Sequence, residues 1–313
     1  MGTESRQAVS KEMEKSKRII EKTARVLGFD EHMLEVNWKK TRKINNFVYG
    51  FLHKEKGVTY ENIVLGGVPC MLTTPKVIKD DHIFVYIHGG AFVLGSAFVC
   101  KGYCSMLANY SGRRVIAIEY ALAPEHPYPA GVNDCFAAYE AILEKYPNSK
   151  IALFGESAGG SLVLVTALKA RNEKKKMPSC IVAHSPLTDF SGQVKRGTHT
   201  NIDLIVRPGC SEPLKILYVG NADPNHPYVS PICGDFTDFP PLFLSCDYNE
   251  SLNEDAHEMY RRVRDLGGKA KLVEMKDSYH AFGVLALTTP EMQELTKDTI
   301  AFVEESFNNT VRI

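Results

Sequence analysis

Apolar runs of strand length alternate with helix-patterned stretches through most of this chain. The runs are IFVYIH at 83–88, RVIAIEY at 114–120, IALFG at 151–155, CIVAHS at 180–185, LFLSC at 242–246 and KLVEM at 271–275. Between them, AGVNDCFAAYEAILEKY at 130–146 and LNEDAHEMYRRVRDLGG at 252–268 repeat apolar residues at helical spacing, and the second stops at a glycine pair. SLVLVTALKARNEKKK at 161–176 turns basic at its C-terminal end, as the helix dipole favours, and Thr289-Pro290 supplies an N-cap and first residue for a last helix. The alternation predicts an α/β fold with a mostly parallel central sheet flanked by helices.

Two regions interrupt that pattern. Residues 1–55 read as helices with a lone Trp38, followed by ENIVLGGVPCMLTTP at 61–75, a hairpin turning at Gly66-Gly67. Residues 188–225 are polar and rich in loop formers, with a short helix expected near PLKILYV. Either region could cover the carboxyl ends of the strands, where open α/β sheets bind ligands.

Composition narrows the function. A chain of 313 residues with 44% hydrophobic content can bury the core of one large domain with an appendage. Lys+Arg and Asp+Glu both number 37, so no overall field draws in nucleic acid or an anionic membrane. The start, MGTESRQAVSKEMEKSKRII, lacks the apolar core of a signal peptide, and no run approaches the ~18 apolar residues of a membrane span, so a cytoplasmic protein without an integral membrane segment is expected. The eight cysteines are scattered, without paired CxxC spacings, and read as buried free thiols rather than disulfides or metal ligands.

The stretch FGESAGGS at 154–161 raises the question of chemistry. Strand, Gly155-Glu156-Ser157-Ala158-Gly159, then helix is the setting in which G-x-S-x-G forms a nucleophile elbow, because the turn demands small residues two before and two after the serine. A second cluster, His88-Gly89-Gly90-Ala91, directly follows the strand at 83–88 and could bring backbone amides close to an oxyanion. His88 then orients the loop rather than carrying protons.

Serine needs a base, and the base needs an acid to fix its tautomer. His280, in KDSYHAF between the last strand and the last helix, fits the base in position and order. His184 falls inside a strand, His257 inside a helix, and His199 and His226 in the loop-rich segment. For the acid, CDYNESLNED offers Asp247 and Glu250, either of which could instead cap the following helix. Asp134 reads as a loop or helix-start stabiliser, and Glu156 as a residue that orients nearby backbone.

The residues now carry a resemblance. The chain resembles the hormone-sensitive-lipase-like serine esterases and lipases of the α/β-hydrolase fold from about residue 60 to its end, through HGGAFVLGS, EYALAPEHPYPAGVNDC, GESAGG, DPNHPYVSP and SYHAF. The resemblance implies a carboxylic-ester hydrolase acting on short- to medium-chain acyl esters, with Ser157 as nucleophile, His280 as general base and an oxyanion hole at Gly89, Gly90, Ala91 and Ala158. In that hole Gly90, Ala91 and Ala158 lend their amides, and Gly89 shapes the loop. No cofactor or metal is implied. The family's D-x-L-x-D-E pattern aligns with Glu250-Ser251-Leu252-Asn253-Glu254-Asp255, favouring Glu250 as the acid with Asp247 as the alternative. Ala91 stands where the family has a third glycine. The resemblance also implies two spans: N-terminal cap helices at 1–55, and a catalytic domain at 56–313 with a cap insertion at about 188–225.

Other readings stay open on the same fold: a small-ligand receptor, which the histidine at 280 disfavours, and an amidase or peptidase with the same triad. The expected partner is a small-molecule ester; nucleic acid is not expected, and a homodimer is compatible with the neutral charge.

Overall fold

The computed structural model describes residues 2–27, 29–49, 54–197, 203–207, 209–285 and 288–309. His199 and parts of the spans 1–55 and 188–225 lie outside them. One nine-stranded sheet organises the chain: β1 (Thr3–Gln7), β2 (Val58–Leu65), β3 (Val68–Pro75), β4 (Ile83–Ile87), β5 (Arg114–Ile118), β6 (Ile151–Glu156), β7 (Cys180–His184), β8 (Leu242–Asp247) and β9 (Ala270–Lys276). The spatial order is β1-β9-β8-β7-β6-β4-β5-β3-β2. Strands from β5 across to β1 pair in parallel, and β2 and β3 join as an antiparallel hairpin. All six apolar runs are therefore strands, and every residue of β4, β6, β7 and β8 is buried, as parallel strands covered on both faces require. The hairpin turns at Gly66 and Gly67, with φ of 58° and 79°, the left-handed pair that a two-residue turn needs.

The described helices are α1 (Lys11–Leu27), α2 (Trp38–Tyr49), α3 (Lys101–Ser111), α4 (Ala130–Lys145), α5 (Ala158–Asn172), α6 (Ser211–Leu214), α7 (Asn253–Asp265), α8 (Phe282–Leu285) and α9 (Pro290–Asn309). Helix α5 is apolar on nearly every side and buried along most of its length beneath the sheet's centre. Thr289 caps α9, accepting the Met292 N–H on its side chain at 3.3 Å.

The N-terminal span departs from the sequence reading. It is not helical throughout, because Thr3–Gln7 adds a strand beside β9 in parallel register, from Thr3 opposite Leu272 to Gln7 opposite Lys276. TESRQ has no apolar periodicity to announce a strand. Backbone pairing supplies the structure, and Arg6, paired with Glu4 of the same strand at 2.7 Å, ties the strand to Asp298 of α9. Helix α3, in KGYCSMLANYS, was likewise not foreseen.

Strand order reverses at β4: the chain moves to β5 on one side and later to β6 on the other. The crevice at the carboxyl ends of β4 and β6 is the switch point where α/β sheets bind ligands. The glycine cluster at 88–91 and the serine turn at 155–159 both open into it.

Candidate active site

Ser157 sits between β6 and α5 with φ 52° and ψ −119°, a left-handed geometry that costs a non-glycine residue energy and is held by its surroundings. The hold is backbone against backbone. The Ser157 N–H donates to the His184 carbonyl at 2.9 Å, and its carbonyl accepts from Leu187 at 3.1 Å. A Cβ on Gly155 would stand 2.4 Å from the Gly159 carbonyl oxygen, and one on Gly159 2.0 Å from that of Ile87, so the turn closes only with glycine at both places.

The loop after β4 packs beside this turn. A Cβ on Gly89 would lie 3.1 Å from that of Ser157, and Gly90 adopts φ 111°. The Gly89 N–H donates to Glu156 Oε1 at 2.7 Å, while the other Glu156 oxygen accepts from the Tyr86 hydroxyl. Glu156 thus orients the loop backbone, as its place in the sequence suggested. Burial pushes its carboxyl up to about 7, against the opposing pull of these two donors. His88 is stacked on Tyr120 with ring centroids 4.3 Å apart and bonded through Nδ1 to the Gly89 carbonyl at 2.8 Å. Burial drives its pKa down to about 4, so it is a neutral loop support. Among the described residues, the amides of Gly90 and Ala91 meet no backbone or side-chain acceptor, and Ala158 opens α5, where first-turn amides have no intrahelical partner. Ala91 itself sits at φ 54°, a region that the third glycine of the family pattern would occupy without strain.

His280 is buried in the turn between β9 and α8, and its Nδ1 lies 3.3 Å from Glu250 Oε2. The contact is an ion-pair distance in which the N–H is poorly aimed for a hydrogen bond. Burial is the largest single influence and pulls the imidazole pKa down, but Glu250, Asp203 and Glu156 together outweigh it, and the net direction is up. Burial also raises the pKa of Glu250, with His280 opposing. Asp247, the alternative acid, is turned elsewhere: it accepts from Ser278 N at 2.9 Å, Ser278 Oγ at 2.7 Å and Asn249 N at 2.8 Å, bracing the start of the histidine loop. Asp134 accepts from Ala121 N at 2.8 Å, the loop role expected of it. The rings of His184 and His257 are engaged by Ser245 at 2.7 Å and Glu274 at 2.9 Å, and neither residue lines the cavity described below.

Sequence reasoning missed Ser185. At the end of β7 it takes φ 48°, accepts the Ala281 N–H at 3.0 Å and donates to Glu250 Oε2 at 2.8 Å, tying the histidine loop to Glu250. Its only sequence signal is its position directly after a strand. Asp255 of the acid motif was also unassigned; it receives Arg196 at 2.7 Å and Thr188 N at 2.8 Å, pinning the start of the loop-rich segment to α7.

Ser157, His280, Gly89, Gly90 and Ala91 line one cavity of about 390 Å³. Its other walls come from Ile20, Phe29 and Met33 of the N-terminal span, from Leu187, and from Ile205 and Leu214 of the loop-rich segment. All eight cysteines are free thiols, and seven are buried.

A parallel sheet with a strained serine at its switch point is the arrangement of an α/β-hydrolase. A family model described as the alpha/beta hydrolase fold matches residues 84–284, and the chain belongs to that family. It is 28% identical to an acetyl-hydrolase of Streptomyces hygroscopicus over 72% of this chain and 76% of the relative. It is 25% identical to the carboxylesterase NlhH of Mycobacterium tuberculosis over 82% and 83%. The crystal structure of an esterase from the bacterial hormone-sensitive lipase family superposes with a TM-score of 0.87 at 28% identity, covering 96% of this chain and 99% of that one. The chain is accordingly a carboxylesterase-type hydrolase of the hormone-sensitive-lipase-like group. Among the described residues, no helix is long and apolar enough to cross a membrane.

Proposed function

We propose that the protein hydrolyses small carboxylic esters through an acyl-enzyme, with Ser157 as nucleophile, His280 as base and then acid, and Glu250 as the acid that fixes the imidazole. The observation that carries this reading is the shared cavity, in which strained Ser157 meets the same space as His280, itself backed at 3.3 Å by Glu250. Ser157 Oγ attacks the ester carbonyl while His280 Nε2 takes its proton, and Glu250 stabilises the imidazolium through Nδ1. The amides of Gly90, Ala91 and Ala158 receive the oxyanion; Gly89, whose N–H is already given to Glu156, shapes the loop. The imidazolium then protonates the departing alcohol, and water repeats the attack to free the acid. A base whose pKa lies above the ordinary ~6.5 gains proton affinity for the first step.

The cavity lies toward the lower end of the roughly 300–1,000 Å³ range of ligand pockets, which supports short to medium acyl chains. The N-terminal span and the segment at 188–225 act as its cap. With p-nitrophenyl butyrate as substrate, Ser157→Ala is expected to lower kcat by at least ~10³-fold. Equal turnover by the two proteins would overturn the reading.

A further inference from the structure

Residues 203–207 run as a strap between two other pieces of chain. Asp203 is buried, and its carboxylate accepts three backbone N–H groups: Ile205 and Val206, each at 2.9 Å, on Oδ1, and Ser251 at 2.7 Å on Oδ2. Ser251 is the neighbour of Glu250, and it returns its own hydroxyl to the Val206 carbonyl at 2.9 Å. At the other end, the Arg207 N–H donates to the Phe29 carbonyl at 3.1 Å. The strap thus joins the acid's loop to the N-terminal wall of the cavity, and Ile205, Val206, Arg207 and Ser251 line that cavity with His280.

We propose that Asp203 is a positioning residue for the reaction, fixing the loop that carries Glu250 and coupling it to the cover of the cavity. The inference rests on the roles assigned above to Ser157, His280 and Glu250. The bond to Ser251 needs an acceptor at Oδ2, which an amide nitrogen in that place could not provide. A carboxylate also adds charge where the triad works. Around His280 stand Glu250 from the loop after β8, Asp203 from the strap, Glu156 from the end of β6 and His184 from the end of β7, which burial holds neutral with a pKa near 3. Burial lowers the pKa of His280, whereas Glu250, Asp203 and Glu156 raise it; Asp203 also raises that of Glu250. Removing the Asp203 charge therefore lowers the pKa of His280, so the base stays neutral to lower pH.

The test is Asp203→Asn beside wild type and Asp203→Glu, read by the pH profile of p-nitrophenyl butyrate hydrolysis and by NMR titration of histidine-labelled protein, with His280→Gln to assign the resonance. Asp203→Asn is expected to reduce plateau kcat by about tenfold with little change in KM, and to move the acid limb and the His280 titration down by about half a pH unit. Asp203→Glu, with its charge kept but its reach altered, should lose plateau rate and leave the titration at the wild-type position. It also serves where the asparagine variant fails to fold. A wild-type plateau in Asp203→Asn, or an unmoved His280 titration, overturns the proposal. If wild type proves to hydrolyse no ester, the esterase reading fails on its own evidence, and the NMR titration still decides whether Asp203 acts on His280.

Discussion

Beneath the cavity, backbone presses on backbone; above it, separate side chains hold the walls. The floor closes because Gly155 and Gly159 leave no room for a Cβ, and because β4, β6, β7 and β8 are buried throughout. The cover is fastened at points: Arg42 of α2 donates to the Val93 carbonyl at 2.8 Å and reaches the Ala123 carbonyl and Glu125, Asp203 holds Ser251, Arg196 holds Asp255, and the Phe92 ring stacks on Tyr218. A backbone-packed floor keeps one geometry and admits few sequences, whereas a cover held by individual contacts can change its lining one residue at a time. On the function proposed above, such a division would separate the reaction from the choice of substrate.

That contrast can be tested from its strongest side. Glu250→Gln should lower kcat by ~10³-fold or more, while Asp247→Asn, which loses bonds to Ser278 but no contact with His280, should cost about tenfold and mainly stability. Steady-state kinetics beside thermal melts rank the two, and the reverse order would reassign the acid. Next comes Gly159→Ala, whose new methyl meets the Ile87 carbonyl at 2.0 Å; we expect a loss of about 3 kcal/mol in urea unfolding, with turnover falling alongside. The smallest effect belongs to the cover. Arg42→Met should cost about 1–2 kcal/mol or less, and it should shift kcat/KM by a factor that depends on the ester's acyl length. An Arg42→Met loss as large as that of Gly159→Ala, uniform across a chain-length series, would erase the distinction between floor and cover.

The same division explains what could be read from the sequence. Strands β4 to β9 announce themselves because buried parallel strands must be apolar, and the elbow does so because its steric demand falls on glycines at fixed offsets. Chain order pointed to His280, which lines the cavity with Ser157. Glu250 against Asp247 was harder, since both follow β8 and only folding shows that Asp247 faces Ser278 while Glu250 faces His280. Ser185, Asp203 and Arg42 were silent for a different reason. Each acts by bonding a backbone group distant in sequence, Ala281, Ser251 and Val93 respectively, and nothing local marks a side chain for such a task. Strand β1 was misread as helix because its pairing with β9 relies on main-chain groups that any residue carries.

The short N-terminal strand also bears on how two molecules could meet. By lying along β9 it occupies the hydrogen-bonding flank that would otherwise await a neighbouring copy, and it exposes Thr3, Ser5 and Gln7 while Arg6 turns back to Asp298 of α9. Any assembly that continued the sheet across two subunits would have to displace this strand, add to its own free edge, or use the opposite border at β2.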